Sequence, residues 1–372
     1  MMDHPYPLRR KGNQSDSPST EKDYLTYFKA KVERLRVPLS GDFAITHRCN
    51  LRCVHCYVGS GQNHPSFPRE ELTTAQWLTL LDDVTKAGCL FLLITGGEPL
   101  LRDDFVDIYR YAKRKGLLVT VFTNGTSIRD EVLDVWEDLP PQTIEISLYG
   151  ATAATYETIT GIRGSYERCV RGIERLLERR LNVRLKTVLM TDNRHEFEAI
   201  KAMALRYGVK FRMDAEIFPR FNGDKTPLER RVSPEEAVDR EFADQERFLQ
   251  WIELFERARG LPRTGTLYTC GAGMTHFHVD PYGHLKPCLM VQDLEYDLGD
   301  GGFLEGWKKV MPRIRKRKIP ASSRCEVCSV KVACGFCPAF FRLENSDETV
   351  YSDYLCSMGQ LRYQRIMKAS HE

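Results

Sequence analysis

Between about Asp42 and Pro219 the chain alternates six short apolar runs with stretches of helical periodicity. The runs are predicted to be β-strands because they are short, rich in β-branched and aromatic residues, and bounded by turn residues. Such alternation favours parallel βα units, whose strands end on the same side of the sheet. The sequence therefore predicts an α/β fold, a partial (β/α)6 TIM-like barrel, with functional loops after the strands. The runs are DFAIT, LFLLIT, LLVTVFT, TIEISL, VRLKTVLM and KFRMDAEIF.

Helix signals lie between and after these strands. The segment TTAQWLTLLDDVTKAG begins with a capping box of Thr73 and Gln76. Its apolar stripe consists of Trp77, Leu80, Leu81 and Val84. Further on, Ser233 is the predicted N-cap of a helical region, with Pro234 in its first turn and Glu236 completing a capping box.

Regular periodicity fades from Leu261 onward, where cysteine, glycine and proline become frequent. This composition is expected where bound metal, rather than a large apolar core, fixes the fold. We therefore predict an N-terminal extension (1–40), a barrel (41–232), a helical linker (233–260) and a small cysteine-rich domain (261–372).

Charge and hydropathy argue against two classes of partner. The 54 basic and 51 acidic residues give a net charge of +3, so no strong field points to nucleic acid or an anionic membrane. The basic cluster RIRKRK (313–318) reads as a solvated helix face. No apolar run reaches the roughly 18 residues of a membrane span, and the N-terminus lacks the apolar core of a secretory signal. These features predict a cytoplasmic protein.

Twelve cysteines are the main chemical clue, because clustered thiols in a reducing compartment usually hold metal or do redox chemistry. Cys89 and Cys169 stand outside any pattern and are predicted to be buried free thiols that pack as small hydrophobic residues. The other ten fall into two groups: Cys49, Cys53 and Cys56 near the N-terminus, and Cys270, Cys288, Cys325, Cys328, Cys334, Cys337 and Cys356 near the C-terminus.

The first group follows the first predicted strand, at the end of the barrel where reactive sites collect. A structural zinc site needs four ligands, so zinc would require His47 or His55 beside the three cysteines. A [4Fe-4S] cluster on three cysteines would instead keep one iron free for a substrate or cofactor. Both interpretations are open at this point.

The spacing Cys-x-x-x-Cys-x-x-Cys resembles the signature of the radical S-adenosylmethionine superfamily. The resemblance implies one [4Fe-4S] cluster, whose open iron chelates the amino and carboxylate groups of S-adenosylmethionine. One electron then cleaves the sulfonium and gives a 5′-deoxyadenosyl radical, and the protein supplies position and excludes water. His55 stands where the family has an aromatic or similar residue beside the cluster and the adenine.

A second match follows the second strand, where Gly96, Gly97, Glu98 and Pro99 resemble the family's loop that meets the cofactor's amino group. Two glycines allow a close backbone approach, and a carboxylate or carbonyl accepts from an ammonium group.

Later strand ends also resemble segments that touch the cofactor in this family. Asn124 follows the third strand and Ser147 the fourth, although Tyr149 replaces an aspartate usual in the family. The family's carboxylate-binding arginine would fall at Thr160, and Arg163 stands three residues further on. Arg163 is therefore a candidate either for that role or for an ordinary loop arginine. Further candidates after the fifth strand are Lys186 and Asn193.

The C-terminal cysteines resemble the SPASM extension of peptide-modifying radical enzymes, although the four-cysteine run alone also suits zinc. The extension implies two auxiliary iron-sulfur clusters. The distal one would take Cys325, Cys328, Cys334 and Cys356, and the nearer one Cys270, Cys288 and Cys337. The fourth position of the nearer cluster would be open or filled by a side chain such as His276, His278 or Asp280.

The resemblance, which covers Phe43 to Cys356, implies an oxidoreductase that modifies a ribosomal precursor peptide by hydrogen abstraction. It also implies a reductant such as flavodoxin or ferredoxin. The short N-terminal extension predicts a separate small peptide-binding protein. Alternatives are side-chain decarboxylation or deacetylation of a haem precursor, sulfatase-type protein maturation, and a non-catalytic electron-transfer or scaffold protein. No general base can be chosen from the sequence.

Overall fold

The structure, a computed structural model, describes residues 21–59, 70–258 and 265–369. Within these ranges nine strands form one sheet in the order β6-β5-β4-β3-β2-β1-β7-β8-β9. The strands are β1 Ser40–Ala44, β2 Phe91–Thr95, β3 Leu118–Thr123, β4 Thr143–Ser147, β5 Val183–Val188, β6 Lys210–Asp214, β7 His276–Val279, β8 His284–Lys286 and β9 Tyr296–Asp297.

Strands β1 to β6 correspond to the six predicted strands, and each pairs in parallel with the next. The predicted α/β partial barrel is therefore confirmed. The described helices are α1 Glu21–Leu35, α2 Thr74–Lys86, α3 Phe105–Arg114, α4 Asp130–Asp138, α5 Ala153–Thr160, α6 Ser165–Glu178, α7 Phe197–Arg206, α8 Pro234–Phe242, α9 Gln245–Ala258, α10 Gly302–Lys309, α11 Pro312–Lys316, α12 Pro338–Asn345 and α13 Asp353–Ala369.

Helix α2 begins as predicted, because the Gln76 side chain accepts a hydrogen bond from Thr73 N at 2.9 Å. Its four stripe residues are buried. At α8 the Ser233 hydroxyl caps Glu236 N at 3.2 Å. The Glu236 carboxylate accepts instead from Arg194 at 3.0 Å, so the described residues form only the Ser233 half of that predicted box.

Helices α2 to α6 cover the outer face of the parallel strands and enclose the main apolar core. Its largest fully buried side chains include Trp77, Trp136 and Tyr109. Cys89 and Cys169 belong to this core, with 6% and 0% of their surface exposed, so the prediction of buried free thiols is confirmed.

The cysteine-rich segment is tied to the barrel in two places. Strand β7 pairs in parallel with β1, so the sheet crosses the boundary proposed at residue 261. Helix α13 packs on α8, where the buried Arg362 guanidinium donates to Glu241 at 2.7 Å and to Ala333 O at 3.2 Å. Helices α10 to α13 and strands β7 to β9 give this segment more regular structure than its sequence indicated. None of the described helices combines the length and apolar character needed to cross a bilayer.

Candidate active site at the carboxyl ends of the strands

A cavity of about 420 Å³ opens where β2 to β6 end. The last residue of each of these strands lines it: Thr95, Thr123, Ser147, Val188 and Asp214. The loop after β1 closes one side with all three N-terminal cysteines. This is the end of a parallel barrel at which ligands bind.

The loop that carries the three cysteines is fixed by backbone hydrogen bonds. Leu51 N lies 3.4 Å from Cys49 Sγ, and Cys56 N donates to Cys53 O at 3.1 Å. The segment before α6 anchors the middle of the loop, because Arg52 N donates to Thr160 O at 2.8 Å.

The three thiols share a site in which negative charge is costly. Burial raises the pKa of the Cys49 thiol to about 12. Burial also raises the pKa of Cys53 well above its ordinary value, and the charges of Cys56 and Cys49 raise it further. Three thiolates can therefore coexist here only with a compensating cation, which a bound metal or iron-sulfur cluster provides. The donor set fits such a group.

Gly96 and Gly97 pack directly against the segment that leads into the cysteine loop. Gly97 N donates to Thr46 O at 2.7 Å, and Glu98 N donates to Arg48 O at 2.9 Å. A Cβ atom would lie 2.2 Å from Thr46 O at position 96 and 2.4 Å from Arg48 O at position 97. Glycine is thus required by contact between two neighbouring strand-end loops. Both glycines also line the cavity.

Glu98 and Pro99 complete this loop, and both are buried. The Glu98 carboxylate accepts from Thr123 Oγ1 and Asn124 N, both at 2.7 Å, and from Leu100 N at 3.1 Å. Burial raises the pKa of Glu98 to about 7, despite these bonds. The side chain therefore connects the ends of β2 and β3 and is not a cavity-lining residue.

Asn124 and Ser147, the residues that the resemblance assigns to cofactor contact, line the cavity. The Asn124 amide donates to Asn50 Oδ1 at 2.8 Å and lies 3.9 Å from Cys49 Sγ. Arg163 is different: it is exposed in the turn between α5 and α6 and is not among the lining residues. In that stretch it is the Thr160 backbone that contacts the cysteine loop.

His55 lies in the cavity wall, edge-on to Tyr149, with 4.7 Å between ring centroids. Burial, and then the Lys186 charge, lower the pKa of His55 to about 4, so the imidazole is neutral. Its Nδ1 atom is buried and has no hydrogen-bond partner among the described residues. A bound group would supply the missing partner.

The opposite wall holds charged residues, among which the sequence singled out Lys186 but not Arg212. Lys186 Nζ lies 3.2 Å from the buried Glu145 carboxylate and 3.5 Å from the Phe122 ring centroid. Arg212 donates to Asp214 at 2.7 Å. The available signal was charge at inward-facing positions of predicted strands, such as the lysine in VRLKTVLM and the arginine in KFRMDAEIF.

The seven C-terminal cysteines fall into two spatial groups. Burial, followed by the charges of Cys328, Cys325 and Cys356, raises the pKa of the Cys334 thiol to about 12. Burial raises the pKa of Cys288 to about 12, and its cysteine neighbours are Cys337 and Cys270. The same cysteines make up the two ligand sets that the resemblance implied, and their role as cluster ligands stays a prediction.

The candidates for a fourth ligand of the nearer group have other contacts. His276 Nε2 lies 3.2 Å from Asp42, and the Asp280 carboxylate contacts His284 at 2.9 Å and Lys286 at 3.3 Å. His278 is buried, with Nδ1 3.9 Å from Asp42. His276 and Asp280 thus have partners other than a cysteine-bound group, whereas the buried His278 Nδ1 has no hydrogen-bond partner among the described residues.

Comparison with known proteins gives a consistent result. A profile of the Radical SAM superfamily matches residues 43–204. Mycofactocin maturase MftC of Mycobacterium ulcerans is 30% identical over 314 residues, covering 82% of this chain and 81% of the relative. AdoMet-dependent heme synthase of Methanosarcina barkeri is 28% identical over 332 residues, covering 79% of this chain and 89% of the relative.

The fold is likewise similar to solved structures. SuiB of Streptococcus suis, in complex with the precursor peptide SuiA, superposes with a TM-score of 0.68 at 17% identity, covering 95% of this chain and 84% of SuiB. Native anSMEcpe with bound AdoMet gives a TM-score of 0.66 at 14% identity, covering 90% of this chain and 99% of that chain.

Proposed function

Because this chain belongs to the radical S-adenosylmethionine superfamily and carries a SPASM-type C-terminal region, we propose that it modifies a ribosomal precursor peptide by hydrogen abstraction. Cys49, Cys53 and Cys56 would hold the [4Fe-4S] cluster. With S-adenosylmethionine bound, this group supplies a 5′-deoxyadenosyl radical. The remaining work of the protein is to position the reactants and exclude water.

The residues around the cysteines are suited to that positioning. The Gly96–Gly97 backbone lines the cavity beside the cysteine loop, where it would face the methionine end of the cofactor. Glu98 stays behind the loop and fixes its position relative to Asn124. His55 is neutral and buried, with one unbonded nitrogen, and would orient a group bound against the cysteines.

The charge pattern of the cavity is the observation that carries the choice of a peptide. The two cations among its described lining residues already have carboxylate partners: Lys186 is 3.2 Å from Glu145, and Arg212 is 2.7 Å from Asp214. Breaking the Lys186 pair to bind a substrate carboxylate would leave the buried Glu145 charge without this partner, which is costly. The Arg212–Asp214 pair is partly exposed, so breaking it costs less. A neutral peptide segment avoids that cost.

Cavity size supports the same choice. A volume of about 420 Å³ lies near the lower end of the roughly 300–1,000 Å³ range for small-ligand pockets. S-adenosylmethionine takes much of this space, so a substrate that adds one side chain fits more readily than a macrocycle. The maturase relative of Mycobacterium ulcerans, which aligns over 81% of its length, is in accord with this assignment.

Haem-precursor chemistry is the second candidate. It is favoured by the Methanosarcina barkeri heme synthase, which aligns with this chain over 89% of the relative's length. Such a substrate carries propionates that would have to replace Glu145 or Asp214 as partners of the two cavity cations. Sequence similarity therefore supports this candidate, whereas the cavity charges oppose it.

The auxiliary clusters belong to the same proposal. Cys325, Cys328, Cys334 and Cys356 would hold one, and Cys270, Cys288 and Cys337 the other. Their role would be to accept the electron left on the product or to orient the peptide. A separate small peptide-binding protein and a reductant such as flavodoxin or ferredoxin would complete the system.

The test uses anaerobically reconstituted protein with dithionite and S-adenosylmethionine. A deuterated candidate precursor peptide is compared with iron-coproporphyrin III as substrate. We expect peptide-dependent formation of 5′-deoxyadenosine that carries deuterium from the peptide. Turnover of the porphyrin together with an unlabelled, peptide-independent nucleoside would reject the peptide assignment.

A further inference from the structure

Around Cys270 the surface is strongly basic. Cys270 is the one exposed thiol among the described cysteines. The Arg315 guanidinium donates to Cys270 O at 2.6 Å, and Arg36 donates to Gly273 O at 2.8 Å. Two arginines thus bind the loop that presents this thiol.

More cations extend this surface along the neighbouring segment. Arg313, Lys316 and Lys318 are all exposed. Lys318 forms an antiparallel bridge with Thr266, and Leu267 N donates to Arg317 O at 2.9 Å, so the segment runs beside the approach to Cys270. We call the set Arg36, Arg313, Arg315, Lys316 and Lys318 the basic face.

Most of this charge is not neutralised within the molecule. Arg317 belongs to the same segment, but its charge is paired with Asp293 and Glu348. By contrast, no ion pair within 4 Å joins Arg313, Lys316 or Lys318 to an acid in the described part of the chain. The Glu33 carboxylate interacts electrostatically with the Arg315 guanidinium. At the rim, Leu35 is 57% exposed and gives the face an apolar contact point.

We propose that the basic face is the docking surface for an acidic, low-potential one-electron carrier protein. Charge complementarity selects such a partner and speeds its encounter. The exposed thiol marks the place where an iron-sulfur group held by Cys270, Cys288 and Cys337 would come nearest to the surface. One electron would leave the carrier, which is oxidised, and reduce an iron-sulfur group of this chain, with no transfer of protons or atoms.

This inference rests on the proposed function, because it assumes iron-sulfur groups in this chain. Its test combines Arg313→Glu, Lys316→Glu and Lys318→Glu in one variant. The matched control reverses three exposed helix cations on other surfaces, Arg114→Glu, Lys201→Glu and Arg206→Glu, and so makes the same change in net charge. The probe is an acidic plant-type [2Fe-2S] ferredoxin.

Two quantities are measured on the reconstituted proteins. The first is the dissociation constant for oxidised ferredoxin by calorimetry at low and high salt. The second is 5′-deoxyadenosine formation driven by reduced ferredoxin or by dithionite. We expect the basic-face variant to bind about tenfold more weakly at low salt and to lose ferredoxin-driven activity in proportion. Its dithionite-driven activity should equal that of the unmodified protein and the control.

The proposal is overturned if both variants weaken binding equally, since net charge alone would then explain the effect. It is overturned as well if the unmodified protein does not bind ferredoxin, or binds it independently of salt. Failure of the proposed function has a different signature: no 5′-deoxyadenosine with dithionite in any protein, while the calorimetric comparison can still be read.

Discussion

The Gly97→Ala variant tests the contact between the two loops that form the site. The new Cβ would lie 2.4 Å from Arg48 O and 2.7 Å from His47 O, and these are backbone atoms that no rotamer change can move aside. The loops must therefore separate. Separation stretches the bonds from Gly97 N to Thr46 O and from Glu98 N to Arg48 O. Because Cys49 follows Arg48 directly, the first thiol moves with them.

The expected loss in the free energy of unfolding is the sum of these contributions. Two backbone hydrogen bonds contribute about 1 kcal/mol each, and overpacking costs about 1–3 kcal/mol. Restricting the unfolded chain returns about 0.5–1 kcal/mol. We expect the free energy of unfolding to fall by about 3 kcal/mol. Iron bound to the cysteine loop should also become more accessible to a chelator.

Gly116→Ala is the matched control. Gly116 has φ of +83°, and its Cβ would meet nothing within 4 Å. Left-handed backbone alone costs an L-residue roughly 1–2 kcal/mol, partly offset in the unfolded state. Denaturant unfolding and chelator-dependent iron loss are measured on both variants after reconstitution. Equal unfolding free energies and equal iron loss for the two variants would refute the steric reasoning.

Three further predictions follow from other parts of the structure. Cys53→Ala should lose one cluster's share of iron and all 5′-deoxyadenosine formation, whereas the control Cys89→Ala should keep both. Iron is measured in the two variants, and equal iron contents would contradict the ligand assignment. Glu98 has its pKa raised from 4.5 to about 7 by burial, so its ionisation opposes folding. As pH rises from about 4.5 to 7, the unmodified protein should lose about 3 kcal/mol of stability relative to Glu98→Gln and no more above pH 7; a flat difference in denaturant titrations across this range would contradict it. Arg362→Met should lower the free energy of unfolding by about 3 kcal/mol, because Glu241 loses a buried partner. Arg365→Met, at an exposed pair with Asp239, should lower it by less than about 1 kcal/mol. Equal shifts of the two melting curves would contradict this expectation.

Much of the barrel was predictable because its signals are local. Short apolar runs with turn residues gave all six parallel strands, and the box at Thr73 and Gln76 gave the start of α2. The cysteine spacing and the Gly96–Gly97 loop pointed to the same end of the sheet, where the structure places both. Local sequence also showed that Cys89 and Cys169 stand apart from the other cysteines.

Tertiary contacts account for what was not predictable. The structure adds a packing reason for Gly96 and Gly97, because Thr46 and Arg48 approach from another loop. Strand β7 is four residues long, too short for a period to show, and it is stabilised by pairing with β1. Arg163 is near Thr160 in sequence, yet the turn directs it outward. Lys186 on β5 pairs with Glu145 on β4, a contact between strands that spacing along the chain does not reveal. Arg212 and Asp214 are two residues apart on β6, so alternation along the strand does place them on one face.

We propose that Cys49, Cys53 and Cys56 leave one iron of their cluster open for S-adenosylmethionine. Electron-nuclear double resonance on the dithionite-reduced protein tests it directly, with cofactor labelled by ¹⁵N in its amino group. A nitrogen coupling that is present in the unmodified protein and absent from Cys53→Ala would agree with this account. A reduced cluster at these cysteines that shows no coupling to the labelled cofactor would contradict it.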